Sequence, residues 1–333
     1  AKLELLVVTD IHLNETASLA HYVLPATTPF ERPDLPFVFP LMLGLQTKPY
    51  LQATEAVIPP QGEALDEATI YLELAQAAGT PLFGSRVAQG AMRGLQRIGG
   101  RKRRFGIREV PQRLLLSLLL RISGNGSFAA LLRERHGRAR PEIQAGDFLG
   151  ERVLTDDGRV QLAPPEFLEQ AKQLHAAFEQ ERADANGLRL ITKRHVKTHN
   201  SWTHNDEAFA RPGETNHLYL SPTDGAALGL RDGDLADVRS ATDAVRIPVK
   251  LLPDLQPGTV AMPHGWGHQH ARGITAASRT TGVNVNLLAA DGPKAADPLS
   301  GMAHLTGIPV EVAPAAGERD VRSWSGIGPR AQP

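Results

Sequence analysis

From Lys193 to Asn205 the chain reads KRHVKTHNSWTHN, which sets three histidines, two asparagines, a serine and two threonines within thirteen positions. Imidazoles this close raise the question of zinc, because His195 and His199 would share one face of a helix. The threonine and asparagine content, and the strand-like run Leu188 to Thr192 just before, point instead to loop or extended backbone, where that spacing loses its meaning. The stretch also holds no acidic or cysteine ligand. The expected chemistry is that of a polar loop. The carboxamides of Asn200 and Asn205 both donate and accept, Ser201 can donate to a phosphate or a sulfur, and Trp202 can serve as a packed anchor. A second stretch, HGWGHQHARG from His264 to Gly273, flanks Trp266 with glycines that let the backbone come close to a ligand. A third, GVNVN, ends in Asn284 and Asn286, and either could equally be a loop cap.

The bulk composition narrows the options. Thirty-six basic residues balance thirty-six acidic ones over 333 residues, so no global positive field draws a nucleic acid or an anionic membrane. There is no cysteine, which removes disulfides, thiolate catalysis and cysteine-held metal clusters from this chain. The longest apolar run, LLLSLLL from Leu114 to Leu120, is too short to span a bilayer and reads as a buried helix segment. Arg101 to Arg104, RKRR, reads as a solvated loop. The chain starts abruptly on AKLELLVVTD, as if a larger protein were already under way.

The elements that position these loops fall into two groups. Leu5 to Thr9, a short helix capped by Asn14 or Thr16, and YVLP follow one another as strand, helix and strand of a parallel α/β layer, with Asp10 at the strand end where such sheets bind ligands. Pro29 to Pro60 is irregular, Thr69 to Ala78 and Val110 to Ile122 read as helices, and Asp157 and Gly158 mark a hairpin turn. APPEFLEQAKQLHAAFEQE predicts one helix to about Glu181 with Phe167, Ala171, Leu174 and Phe178 on one face. ADANG, Ala183 to Gly187, marks the domain boundary. Beyond it come strands at Leu188 to Thr192, His217 to Leu220, LADVRS, VRIPVKLL and after Pro257 and Gly258. A short helix from Thr223 is stopped by Gly229. Short strands with glycine turns predict a small closed β barrel.

Taken in order, LVVTDIHLNETASLAHYVLPATTPFER, GRVQLAPPEF, KRHVKTHNSWTHN, SPTDGAALGLRDGDLADVRS, LQPGTVAMPHGWGH and GVNVNLLAADGPKAADPLSGMAHLTGIPVEV resemble passages of the molybdopterin oxidoreductases, the dimethyl sulfoxide reductase superfamily that includes formate dehydrogenases and nitrate reductases. The resemblance implies the C-terminal portion of such an enzyme: a partial Rossmann-like α/β layer with helical segments over 1–182, a double-psi β-barrel that binds molybdopterin dinucleotide over 183–315, and a tail over 316–333. It implies a molybdenum or tungsten bis-molybdopterin guanine dinucleotide cofactor, with an iron–sulfur cluster and the metal ligand in an N-terminal half. Partners implied are the pterin cofactor, a small-molecule substrate, that N-terminal half and an electron-transfer subunit, with no nucleic acid and no membrane span. A formate-dehydrogenase-like reaction and a cytoplasmic location go with it.

By the same resemblance His199, Asn200, Ser201 and Asn205 sit on a loop that contacts the pterin dinucleotide, with Lys193 and His195 close behind. His264 and Trp266 border the cofactor, Arg272 offsets phosphate charge, Asn286 or Asn284 turns an amide towards a pterin, and Asp10 lies near a guanine end. Asp291 continues the match as a structural partner. Glu31 falls where relatives have a glutamate, but the RPDLPF after it departs from their pattern. The rival expectation is a non-catalytic double-psi-barrel module for ligand binding or docking.

Overall fold

The computed structural model describes residues 3–35, 50–103, 106–142, 144, 146, 153, 155–183, 187–292 and 295–316. They form two compact units. One is Ala1–His12 with Leu19–Gln161, and the other is Leu13–Ser18 with Leu162–Pro333. Residues 184–186 of the ADANG segment and the tail after 316 lie outside the described residues.

In the first unit, β1 (Val7–Asp10) and β2 (Tyr22–Pro25) pair in parallel, Val7 against Tyr22 and Asp10 against Pro25. The chain between them carries the one-turn helix Glu15–Ser18, with Asn14 Oδ1 accepting from the Ala17 amide as the cap expectation required. A further two-residue pair, β3 (Tyr50–Leu51) with β4 (Arg138–Ala139), is antiparallel. The unit's apolar centre is Leu35, Leu51, Leu120, Phe128 and Leu131. Glu31 is buried and structural. Burial pushes its carboxyl up, but hydrogen bonds from the Thr28 and Gln61 amides outweigh that and hold it below the usual range.

Two expectations need correction here and in the segment that follows. The leucine run lies on the helix Gln112–Ile122, but only Leu120 is buried, while Leu114, Leu118, Leu119 and Ile122 are exposed. A run of leucines covers the whole helix circumference, and only the side that meets Phe128 and Leu131 finds apolar neighbours. The long helix up to Glu181 is two helices, Pro165–Ala171 and Leu174–Ala183, with Phe167, Leu174 and Phe178 all exposed. The turn at Asp157 and Gly158 forms, with Gly158 N–H donating to the Thr155 carbonyl and φ +64° at Gly158, but no strands flank it among the described residues.

The second unit is built on a closed six-stranded barrel. Its strands are β5 (Leu188–Lys193), β6 (Leu218–Leu220), β7 (Leu235–Arg239), β8 (Ala244–Leu251), β9 (Thr259–Pro263) and β10 (Thr306–Pro314), arranged β10-β5-β9-β6-β8-β7. β5 runs parallel to β9 and β6 parallel to β8, while the other neighbours are antiparallel. The period-two pattern read in LADVRS places Ala236 and Val238 inside, opposite Ile247 and Val245 of β8. With Leu190, Leu218, Val260, Met262 and Val312 they fill the interior. Arg246 on β8 escapes an unpaired charge through a two-pronged contact with Asp237 across the register, 2.6 and 2.8 Å, which raises its basicity further. Pro222–Leu228 is the expected short helix, capped by Ser221 and ended by Gly229 at φ +69°.

Candidate dinucleotide site

Three loops leave the barrel strands and meet. The first follows β5 and comprises residues 194–210, turn after turn without a helix. Within it His199 and Asn200 both take left-handed backbone, φ +43° and +61°, a conformation asparagine and histidine tolerate better than most residues. The second loop follows β9, and the third carries Asn284 and Asn286. Glycines let them touch. A Cβ on Gly265 would lie 1.8 Å from the Asn200 carbonyl oxygen, one on Gly267 would lie 2.5 Å from the Asn284 nitrogen, and one on Gly282 would lie 2.4 Å from the Trp266 ring. From the sequence, the glycines around Trp266 are expected to serve the approach of a ligand, and in the structure the groups that approach Gly265 and Gly267 are those of the other two loops.

The side chains divide by exposure. His199, Asn200 and Ser201 are exposed, with the His199 ring stacked on Trp202. Asn200 Oδ1 is 2.9 Å from His264 Nε2, tying the first loop to the second. Asn205 is turned inward and accepts from the Ala276 amide at 2.9 Å. Asn284 caps the short 3-10 helix Val285–Leu288 by accepting from the Asn286 amide, whereas the Asn286 carboxamide itself is exposed. Arg272 is exposed and has no ion pair among the described residues. Lys193, at the end of β5, holds its ammonium 4.0 Å above the Tyr219 ring. Asp10 ends β1 in the other compact unit, its carboxylate accepting from the His12 amide at 2.9 Å.

The same loops also bury part of their own side chains. Trp266 is buried, with the rings of His204 at 4.4 Å and His195 at 6.1 Å, both edge-on. His195 Nδ1, both nitrogens of His204 and Trp266 Nε1 are buried with no hydrogen-bond partner. Asn216, also buried, donates to the carbonyls of Pro263 and Val283 and accepts from the Val283 amide. Gln269 donates to the Thr280 and Gly282 carbonyls. Asn216 and Gln269 had no signal beyond residue type. Their partners are backbone groups far along the chain. Among the described residues no group of three histidines and carboxylates is arranged to hold a metal ion.

Burial pushes the His204 imidazole down to about 4, with the neighbouring His268 adding to the effect. Above its ordinary value near 6.5 the ring is neutral whether the chain is folded or not. As the pH falls below 6.5 the unfolded chain takes up a proton that the folded ring refuses until about 4. Stability is therefore lost across that window, by up to about 3 kcal/mol, and levels off below it. His204→Phe, which keeps an aromatic ring against Trp266, removes this acid-side decline. Thermal unfolding of both proteins from pH 7 to pH 4 measures it, and parallel curves would contradict the assignment.

The surface that results is one of carboxamides, a hydroxyl, imidazoles and an exposed guanidinium, held on closely packed backbone, and it suits a polar anion better than a metal ion. Comparison with known proteins agrees. Residues 188–309 match the molydopterin dinucleotide binding domain. Over 265 residues, 78% of this chain, the sequence is 25% identical to the F420-dependent formate dehydrogenase subunit alpha of Methanocaldococcus jannaschii, of which it covers 34%. A shorter stretch, 78 residues and 23% of the chain, is 37% identical to trimethylamine-N-oxide reductase of Haemophilus influenzae, covering 9% of it. In fold, acetylene hydratase from Pelobacter acetylenicus superposes with a TM-score of 0.62 over 94% of this chain and 40% of its own, at 20% identity. The chain thus spans about a third of the length of the formate dehydrogenase subunit. The matched domain begins where β5 begins and reaches into β10, so it contains all three loops of the site. By that match the barrel of this chain is similar to a molydopterin dinucleotide binding domain, and the chain around it is similar to the alpha subunit of a formate dehydrogenase.

Proposed function

We propose that the three barrel loops hold a molybdenum or tungsten bis-pyranopterin guanine dinucleotide, in an oxidoreductase of which this chain forms part of the cofactor site. The observation that carries this is the glycine-mediated convergence of the loops, on which Ser201, Asn286 and Arg272 are exposed, with no side-chain hydrogen bond or ion pair among the described residues. The buried, partnerless nitrogens of His195 and Trp266 below that surface fit a site completed by a polar group. When bound, such a group supplies two-electron redox chemistry coupled to proton or oxygen-atom transfer. This chain's part is to bind and orient. Ser201 and Asn286 donate to phosphate or pterin edges, Asn200 is fixed by His264, Lys193 and Arg272 offset negative charge, and His199 and Asn205 shape the loop.

Finer parts of the reading rest on narrower support. The two parallel strand pairs, β5 with β9 and β6 with β8, support a double-psi barrel. The parallel pair β1 and β2 supports an α/β layer. The identity to a formate dehydrogenase subunit supports formate-dehydrogenase-like chemistry.

The full gene product, purified from a host able to make the cofactor, is expected to contain molybdenum or tungsten and pterin in stoichiometric amount. Their absence would leave the non-catalytic binding module. Within that protein Ser201→Ala retains cofactor about tenfold more weakly, since a hydrogen bond to a charged group contributes about 1.5 kcal/mol or more. Its unfolding temperature is unchanged, because the exposed hydroxyl makes no hydrogen bond among the described residues. Asn200 is best tested as Asn200→Gly, which accepts the left-handed backbone that alanine would strain.

A further inference from the structure

His268 is held at both ring nitrogens. Nδ1 lies 3.0 Å from Glu15 Oε1, and Nε2 lies 3.1 Å from the Gly265 carbonyl oxygen. Both partners accept hydrogen bonds, and a neutral imidazole carries only one N–H. A ring with two protons satisfies both contacts, and the carboxylate then adds a Coulomb attraction to its bond. Other groups around it agree with that assignment. From the 194–210 loop the ring facing His268 is that of His204, edge-on at 5.4 Å, buried and neutral at pH 7. Glu214 and His195 also act on His204, in opposite directions. From the helix Glu15–Ser18 the facing group is Glu15, the one ion-pair partner of His268 among the described residues. The Gly265 carbonyl completes the set.

We propose that His268 is a positioning residue acting as an imidazolium: clamped by Glu15, it holds the Gly265 carbonyl, fixes the turn Gly265 to Gly267, and sets a positive charge behind the loops that receive a phosphate-bearing dinucleotide. The last step rests on the function proposed above, whereas the clamp does not. The arrangement gives a role to Glu15, in the ETAS helix, which is 253 positions from its partner and has no part in the three loops. It also explains why the two adjacent histidines differ. Only one of them meets acceptors at both nitrogens, so one is charged and its neighbour is neutral. Loss of the second proton leaves one acceptor without a donor and loosens the turn that Asn200 and Asn284 lean on.

The test uses the whole chain with 15N-labelled histidine and GDP as the probe. At pH 7 both ring nitrogens of His268 are expected to carry protons, and in Glu15→Gln the ring becomes a neutral, singly protonated tautomer. Glu15→Gln and His268→Gln each weaken GDP binding about tenfold at low salt, a difference that shrinks as salt screens the charge. His268→Gln keeps one amide donor for Gly265, which separates loss of charge from loss of the turn. A singly protonated His268 in the wild-type protein at pH 7 overturns the proposal, as does undiminished GDP binding in both variants. If the wild-type chain binds no GDP, the dinucleotide reading falls, while the nitrogen spectra still decide the clamp. Should a variant fail to fold, the wild-type spectra carry the decision.

Discussion

The Asn216→Ala variant is expected to unfold about 6–12 °C below the wild-type barrel, the shift that about 3 kcal/mol produces in a unit of this size. Asn216 is 2% exposed and uses its carboxamide completely, donating to two carbonyls and accepting from one amide. Alanine removes the Asn216 partner of the Pro263 and Val283 carbonyls and of the Val283 N–H, and each group left unsatisfied costs about 1–3 kcal/mol. Water entering the space would soften the loss, so the estimate stays near the lower end of that sum. Asn216→Asp is a sharper variant. It keeps the acceptor for Val283 but turns a carboxylate oxygen towards two carbonyls, and it should be no better than alanine at pH 7. The consequence reaches the site, because Pro263 ends β9 just before His264 and Val283 precedes Asn284. Asn216 thus joins the roots of two of the three loops, and cofactor retention falls together with stability. Differential scanning calorimetry beside pterin content decides it. A variant that unfolds at the wild-type temperature would show that these hydrogen bonds are dispensable.

Local chemistry made part of this molecule readable in advance. The strand pattern of LADVRS, the stop of the short helix at Gly229 and the turn at Gly258 each depend on a few neighbouring residues, and each appears where the sequence places it. So does the loop nature of KTHNSWTHN, which follows from polar residues that compete with the backbone for hydrogen bonds. What stayed hidden is non-local. The apolar stripe of Phe167, Leu174 and Phe178 has helical spacing, but spacing does not reveal whether anything packs against it, and here it is exposed. The inward turn of Asn205 towards Ala276 and the contact of His268 with Glu15 depend on partners 71 and 253 positions away. Among asparagines of one loop, type alone cannot distinguish Asn205, committed to backbone, from Asn200, presented at the surface.

Gly265→Ala is expected to abolish dinucleotide retention, with a loss of about a hundredfold, which is what a displacement of about 1 Å in a positioned site costs. Two effects add at this position. Its φ of +85° strains any residue with a Cβ by about 1–2 kcal/mol. The new methyl would also lie 1.8 Å from the Asn200 carbonyl oxygen and 2.7 Å from its carbon, where ordinary contact begins at 3.4 Å. Both are backbone atoms, so no side-chain rotation relieves the clash, and the loop bearing Asn200 and Ser201 must retreat from the turn. Gly258 supplies the control. It has nearly the same φ, +83°, at the turn into β9, and nothing lies within 4 Å of the space a Cβ would take. Gly258→Ala should therefore lower the unfolding temperature by the strain alone and keep its cofactor, whereas Gly265→Ala loses both. Equal pterin content in the two variants would mean that the approach of the Trp266 turn to Asn200 does not position the site. Gly267→Ala extends the comparison to the third loop, since its Cβ would meet the Asn284 backbone at 2.5 Å. If the three loops act as one surface, Gly265→Ala and Gly267→Ala weaken retention alike, and combining them adds less than the sum, because either displacement alone already opens the surface.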